Sequence, residues 1–170
     1  MKQVILALLL SAAPAFADTP WQGRSAAFFG IHFIDTSTEG EVNGPRADEA
    51  ARVEMLDQYI ADGLTAGGLT LVDMAPAAEQ LKAVKNPEHC NGCDTEIAKS
   101  LGADYSVVAE VQKVSNLILA VNIYVRDAET GAQLRGQAVD IRGNTDDSWQ
   151  RGARYILKNN IFKDPPPPAP

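Results

Sequence analysis

The residues His89-Cys90-Asn91-Gly92-Cys93-Asp94 hold both cysteines of the chain, two residues apart, beside one of its two histidines. Such a group suits three chemistries: a soft-metal site, thiol exchange, or a local disulfide. Soft thiolates prefer Cu(I), and a helix beginning at the pair would lower the thiol pKa and favour the ligating form. Zinc would need two further ligands to close a tetrahedron, and adjacent His89 and Cys90 have difficulty reaching one ion. A c-type haem needs histidine directly after the second cysteine, where Asp94 stands. A disulfide closing so short a loop contributes about 2 kcal/mol on the chain-entropy model. The pair therefore reads as a small clasp or as a soft-metal hook, with His89 beside it.

A second group is polar. In the hairpin expected over residues 115–143, Asn122, Arg126, Asp140 and Arg142 form a possible ligand face. With the turn centred near Thr130, Asn122, Asp140 and Arg142 share one side of the sheet, and Lys113 or Glu110 can join them. Asn144 to Ser148 opens a helix, but Asp146 and Asp147 already answer its positive end and would repel an anion. No catalytic template is complete. Neither His32 nor His89 stands in a Ser/His/Asp or Cys/His arrangement. GPRADEA and GGLTLV lack the spacing of a phosphate loop.

The elements that must position these groups follow from periodicity. RSAAFFGIHFIDTS, residues 24–37, is a continuous apolar run that suits a strand buried on both faces. TEGEVNGPR, residues 38–46, reads as loop. Over 47–66 the residues Ala50, Val53, Leu56, Tyr59, Ile60 and Leu64 recur at steps of three and four, which predicts an amphipathic helix ended by Gly67-Gly68. LTLVDM returns as a parallel strand, and 75–84 is a short helix. The cysteine loop leads into the helix DTEIAKSLGA, with Ile97 and Leu101 on its buried side. Strands follow over 104–114, 115–127 and 133–143, with Leu117, Leu119, Val121, Ile123 and Val125 expected to face the core. Asn144 or Thr145 caps a last helix whose packing stripe is Trp149, Ala153, Ile156 and Leu157. The expectation is an α/β fold in the order βαβα(α)βββα: one mixed five-stranded sheet flanked by about four helices.

The ends and the charge set the setting. Lys2, the apolar run Val4 to Leu10 and Ala15-Phe16-Ala17 read as a secretory signal peptide over 1–17, because the run is too short to span a bilayer. Cleavage after Ala17 leaves 153 residues, with a single domain expected over 18–163 and a polyproline-like tail over 164–170. The 22 acidic against 15 basic residues argue against nucleic acid and anionic membranes as partners. No later segment is apolar for long enough to span a membrane. Export to the periplasm places Cys90 and Cys93 where a disulfide persists.

Resemblances add to this reading. Cys90-x-x-Cys93 followed by Ile97 and Leu101 is similar to heavy-metal-associated chaperone domains, although His89 breaks their Met-x-Cys spacing and no strand runs into the site. A thioredoxin site is disfavoured for the same missing strand, and no proline lies between Pro87 and Pro165 to face it. IHFIDTS, HCNGC, LGADYSVVAEVQKVSNLILAVNIYVRDAETG and DIRGNTDDSW together resemble a family of exported bacterial proteins of unknown function. KVSNLI (113–118) and DIRGNTDDSW (140–149) carry most of that specificity. LGADYSVVAEV is more distantly similar to the α/β domain at the amino terminus of TolB and in CsgG-type proteins. That resemblance implies a non-enzymatic binding or assembly accessory of the cell envelope. TolB's propeller and CsgG's membrane hairpins have no counterpart here. The expected partner is another periplasmic or envelope protein, with no cofactor. The alternative is a Cu(I) or thiol-handling accessory using Cys90 and Cys93, with copper as its cofactor.

Overall fold

Alternation along the third and fourth strands decides the layers. Val107, Ala109 and Val111 on one, and Leu119, Val121, Ile123 and Val125 on the other, are all buried in one core. Side chains two apart share a sheet face, so these residues fix which side the main helices cover. The computed structural model describes residues 21–164. The expected signal peptide and the proline run beyond residue 164 lie outside the described residues.

Five strands and five α-helices follow in the order β1 (Ser25–Asp35), α1 (Thr38–Asn43), α2 (Ala47–Ala66), β2 (Thr70–Leu71), α3 (Ala78–Lys82), α4 (Cys93–Ser100), β3 (Tyr105–Ser115), β4 (Ile118–Asp127), β5 (Gln133–Arg142) and α5 (Asp146–Ile156). The strands lie in the order β2-β1-β3-β4-β5. β1 is parallel to β2 and β3, and β3, β4 and β5 are antiparallel. This is the mixed five-stranded α/β sheet that the sequence predicts. Leu56, Ile60 and Leu64 of α2 and Trp149, Ala153 and Ile156 of α5 pack on the core face. Ala98 of α4 joins Ala27, Ala103 and Ala128 in a smaller cluster on the opposite, outer face.

Four local expectations need correction. β1 is fully buried only at Ala26 and Ala27, because β2 pairs with it over two residues and leaves the rest of β1 at the sheet edge. The expected six-residue second strand shrinks to Thr70 and Leu71, since Val72 and Met74 turn away to pack against the outer-face cluster. Residues 38–43 form α1 rather than loop: the Ser37 hydroxyl caps it by accepting from the Gly40 N–H, and Gly44 ends it at φ 72°. Leu117 does not face the core. It sits in the turn before β4, where the Ser115 hydroxyl accepts its N–H and that of Ile118.

The last helix behaves as its sequence reads. Thr145 is the cap, accepting from the Ser148 N–H, and Asp146 and Asp147 lie in the first turn. Gly152 lets the helix approach the sheet: a Cβ there would stand 2.8 Å from Ile141 Cγ2 and 3.1 Å from Val121 Cγ2. Both neighbours are β-branched strand residues that cannot swing aside. Gly152→Ala should therefore lower stability by about 1–3 kcal/mol in denaturant unfolding, outweighing the roughly 1 kcal/mol gained in helix propensity.

Candidate functional site

Two polar clusters lie on opposite faces of the sheet. The first is built around Lys113, which pairs with Leu119 across β3 and β4 and so points to the core face. Its side chain is fully buried. The ammonium donates to Glu49 Oε1 at 2.6 Å and Asp35 Oδ2 at 3.1 Å, with Glu39 Oε2 at 3.9 Å. Glu49 Oε1 also accepts from Asn144 Nδ2 at 2.7 Å, and Asn144 Oδ1 accepts from Trp149 Nε1 at 3.0 Å. The Asn116 amide donates to Glu39. Arg52 reaches Asp146 at 3.0 Å and Asp48 at 3.0 Å. One buried lysine thus ties the ends of β1 and β3 to α1, α2, the β3–β4 hairpin and the start of α5.

The electrostatics follow from that arrangement. Burial opposes ionisation of Asp35, but the hydrogen bonds from the Ser37 hydroxyl and N–H and from Lys113 hold its carboxyl below the ordinary range. Burial likewise opposes charge on Lys113, and the Glu49 and Asp35 hydrogen bonds override it, raising the ammonium's pKa. A Cβ at Gly40 would overlap the Asp35 carboxylate, so the tight start of α1 belongs to the same construction.

Beside this network a cleft of about 890 Å³ opens between β1, α1 and the first turns of α2. Phe33, Pro45, Ala50 and Val53 give it apolar walls, and Glu41 and Glu54 stand among its acidic residues. On the hairpin tip nearby, Val114 is 53% exposed, Leu117 73% and Ile118 43%. Val42 of α1, the helix tied to the hairpin through Asn116, is 75% exposed.

The second cluster lies on the outer face and contains the residues that the sequence singled out. Cys90 and Cys93 are joined as a disulfide, with Cα atoms 5.5 Å apart, on the loop that opens α4. Bonded to each other, the sulfurs offer no thiolate. Under this loop Arg126 donates to Asp94 at 3.0 Å and to Glu88 at 2.5 Å, and Ser106 donates to Asp94 at 2.6 Å. Glu110 is buried, accepts from Asn86 at 2.8 Å, and lies 3.8 Å from His89 Nε2. Asn122 pairs with Glu110 across the strands, and its Oδ1 is buried without a partner, as is Glu88 Oε2. Burial, reinforced by Glu110 and Asp94, raises the Glu88 pKa against the pull of Arg126. Among the described residues no group of three or more His, Cys, Asp or Glu side chains could hold a metal ion.

The expected polar face is thus divided. Asn122, Arg126 and Glu110 come together with His89 under the disulfide loop. Asp140 and Arg142 share their side of the sheet but lie exposed further along β5, opposite Ala120 and Ile118. Lys113 belongs to the other face altogether. Asp35, Glu49 and Asn116 are not marked by the sequence; the available signal points to Lys113, since Val107, Ala109 and Val111 lead to residue 113 on the core side, where a buried ammonium requires acidic partners.

Removing one partner of a buried ion pair strands the other charge. Lys113→Met should cost about 3–5 kcal/mol at pH 7 in urea unfolding. Asp35 is lowered in the fold, so its contribution is present above its ordinary value near pH 3.8 and is lost as pH falls through the folded value. The gap between the two proteins should therefore narrow below about pH 4, and an unchanged gap there would contradict the assignment.

A solved structure shares this architecture. The C-terminal domain of LpoB from Salmonella enterica matches at TM-score 0.51 and 18% identity, covering 71% of this chain and 84% of that one. Lipoprotein GNA1162 from Neisseria meningitidis matches at TM-score 0.49 and 14% identity, over 72% and 82%. TolB from Acinetobacter baumannii matches at TM-score 0.39 and 15% identity, over 83% of this chain and 29% of TolB, so the TolB-type likeness is looser. None of the curated proteins matches the sequence. Among the described residues no helix is long and apolar enough to cross a membrane. The family model described as "Protein of unknown function (DUF2380)" matches residues 24–161, and the chain belongs to that family.

Proposed function

We propose that this protein is a non-enzymatic accessory of the bacterial cell envelope that works in the periplasm by binding another envelope protein. The observation that carries the reading is the hairpin tip. Leu117 and Ile118 stand in solvent on a turn that Asn116 fastens to Glu39 and to the Lys113 network beneath it. Exposed apolar side chains are common singly, but here Val114 at the end of β3, Leu117 in the turn and Ile118 at the start of β4 cluster at one hairpin tip, with Val42 on the adjoining helix. Held on a rigid base, they lose little conformational freedom on docking, which is the condition for a useful contact surface. The secretory leader read in the sequence and the fold shared with the LpoB C-terminal domain support an envelope setting.

The reading predicts a localised contact. A photo-crosslinking amino acid placed at Leu117 and expressed in the native host should give one discrete adduct with an envelope protein, identified by mass spectrometry. The same group at Gln58, on the exposed side of α2, should give none. Adding Ile118→Asp should abolish the adduct while changing stability by no more than about 0.5 kcal/mol, because the side chain is exposed. Absence of an adduct from Leu117, Ile118 and Val42 alike would overturn the proposal.

A further inference from the structure

The open side of β1 indicates what the partner presents. β2 pairs with β1 only at Ser25 and Ala26, and among the described residues no other strand follows along that side. In a parallel pair, successive residues turn their N–H and C=O groups to opposite sides of the strand. Thr36 N–H donates to the Lys113 carbonyl, so His32, Ile34 and Thr36 face β3. Ile31 N–H donates the other way, to the Asp57 carboxylate at 3.0 Å. Phe33 and Asp35 therefore present backbone groups on the open side, where both residues line the cleft. Gly30 and Asp57 close this edge at one end through the bulge between Phe28 and Ile31. What stays open is the short stretch beyond the Ile31 N–H, from the Ile31 carbonyl to Asp35.

We propose that this edge and its cleft dock, by strand addition, an extended segment of the partner protein carrying lysine or arginine beside an apolar residue. The proposal rests on the reading that the ligand is a protein. Unpaired main-chain groups on an edge favour another main chain. The apolar side chain would enter between Phe33, Ala50 and Val53. The cationic residue would meet Glu41 and Glu54, both exposed and without an ion-pair partner among the described residues, whereas Asp35 and Glu49 already answer Lys113. A second copy of this chain would bring the same carboxylates against their like, which disfavours self-pairing at this edge.

The test pans the protein against a displayed library of random nonapeptides. Enriched sequences are then synthesised in three forms: unmodified, N-methylated at alternate residues, and with Lys and Arg replaced by Glu. Unmodified peptides should shift the backbone amide resonances of Ile31 to Asp35 and Val53. N-methylation in the register that faces β1, or replacement by Glu, should weaken binding by about tenfold or more, equivalent to roughly 1.4 kcal/mol. The double change Glu41→Lys and Glu54→Lys should reverse the charge preference with unchanged thermal unfolding. The proposal is overturned by no enrichment, by shifts on another surface, by N-methylated peptides that bind equally well in both registers, or by concentration-dependent self-association through the same amides. If it fails while the Leu117 adduct persists, the accessory role stands and strand addition alone falls. If peptides bind as expected while no adduct forms, the hairpin reading falls instead.

Discussion

A single buried ammonium governs how the ends of β1 and β3 meet the helices. Lys113 has no exposed surface, and taking its charge out of water costs several kcal/mol unless every donor is answered. Glu49 and Asp35 answer it directly, and each comes from a different element. Apolar replacements of similar volume can match such a pair in stability. They cannot match its directionality. Three hydrogens on one nitrogen require acceptors at set positions, so α2 and the end of β1 are held in register relative to β3. Asn144 extends the constraint by donating to Glu49 and accepting from Trp149, which fixes the entry of α5 over the same core.

That constraint also shapes the surface above it. The turn after Asp35 is drawn in by the Ser37 hydroxyl and N–H, both bound to Asp35 Oδ1, and α1 begins there. α1 then stands off from β1, and the cleft is the space left between them. The hairpin tip is exposed for a related reason: the irregularity between Lys113 and Ser115 shifts the strand register, so Leu117 falls in a turn instead of on the core face. The cleft and the exposed tip both border the Lys113 network, where the parallel strands β1 and β3 end.

Much of the fold was legible because it rests on periodicity. The steps of three and four over 47–66 match α2 to the residue, and the alternation of Leu119 to Val125 matches β4. The failures came where a local contact overrides the period. α1 depends on a Ser37 cap and a Gly44 stop within six residues, too short for a periodic signal. β2 stops because Val72 and Met74 find apolar partners off the edge. Its charge suggests that Lys113 can join Asn122, Asp140 and Arg142, whereas its position two residues beyond Val111 puts it inside. The segments that marked the family resemblance, 113–118 and 140–149, supply Lys113, Asn116, Asn144 and Trp149, which meet in one network. Their distinctiveness in sequence reflects that meeting, which no window of sequence displays.

The cysteine pair changes meaning in the same light. Cys90 and Cys93 close a turn in which Asn91 takes φ 59° and Gly92 φ 94°; glycine adopts such a value freely, whereas Asn91 does so at a cost that the closed turn offsets. The turn sets the first residues of α4, and with them Asp94, whose carboxylate meets Arg126 and Ser106 on the sheet. Pro87 to His89 form the preceding turn, which delivers Glu88 to the other side of the same guanidinium. Arg126 is thus clamped between two carboxylates that arrive from either side of the disulfide. A rigid link at that point lowers the entropy of bringing both to one cation, so the disulfide supports the fold through Arg126.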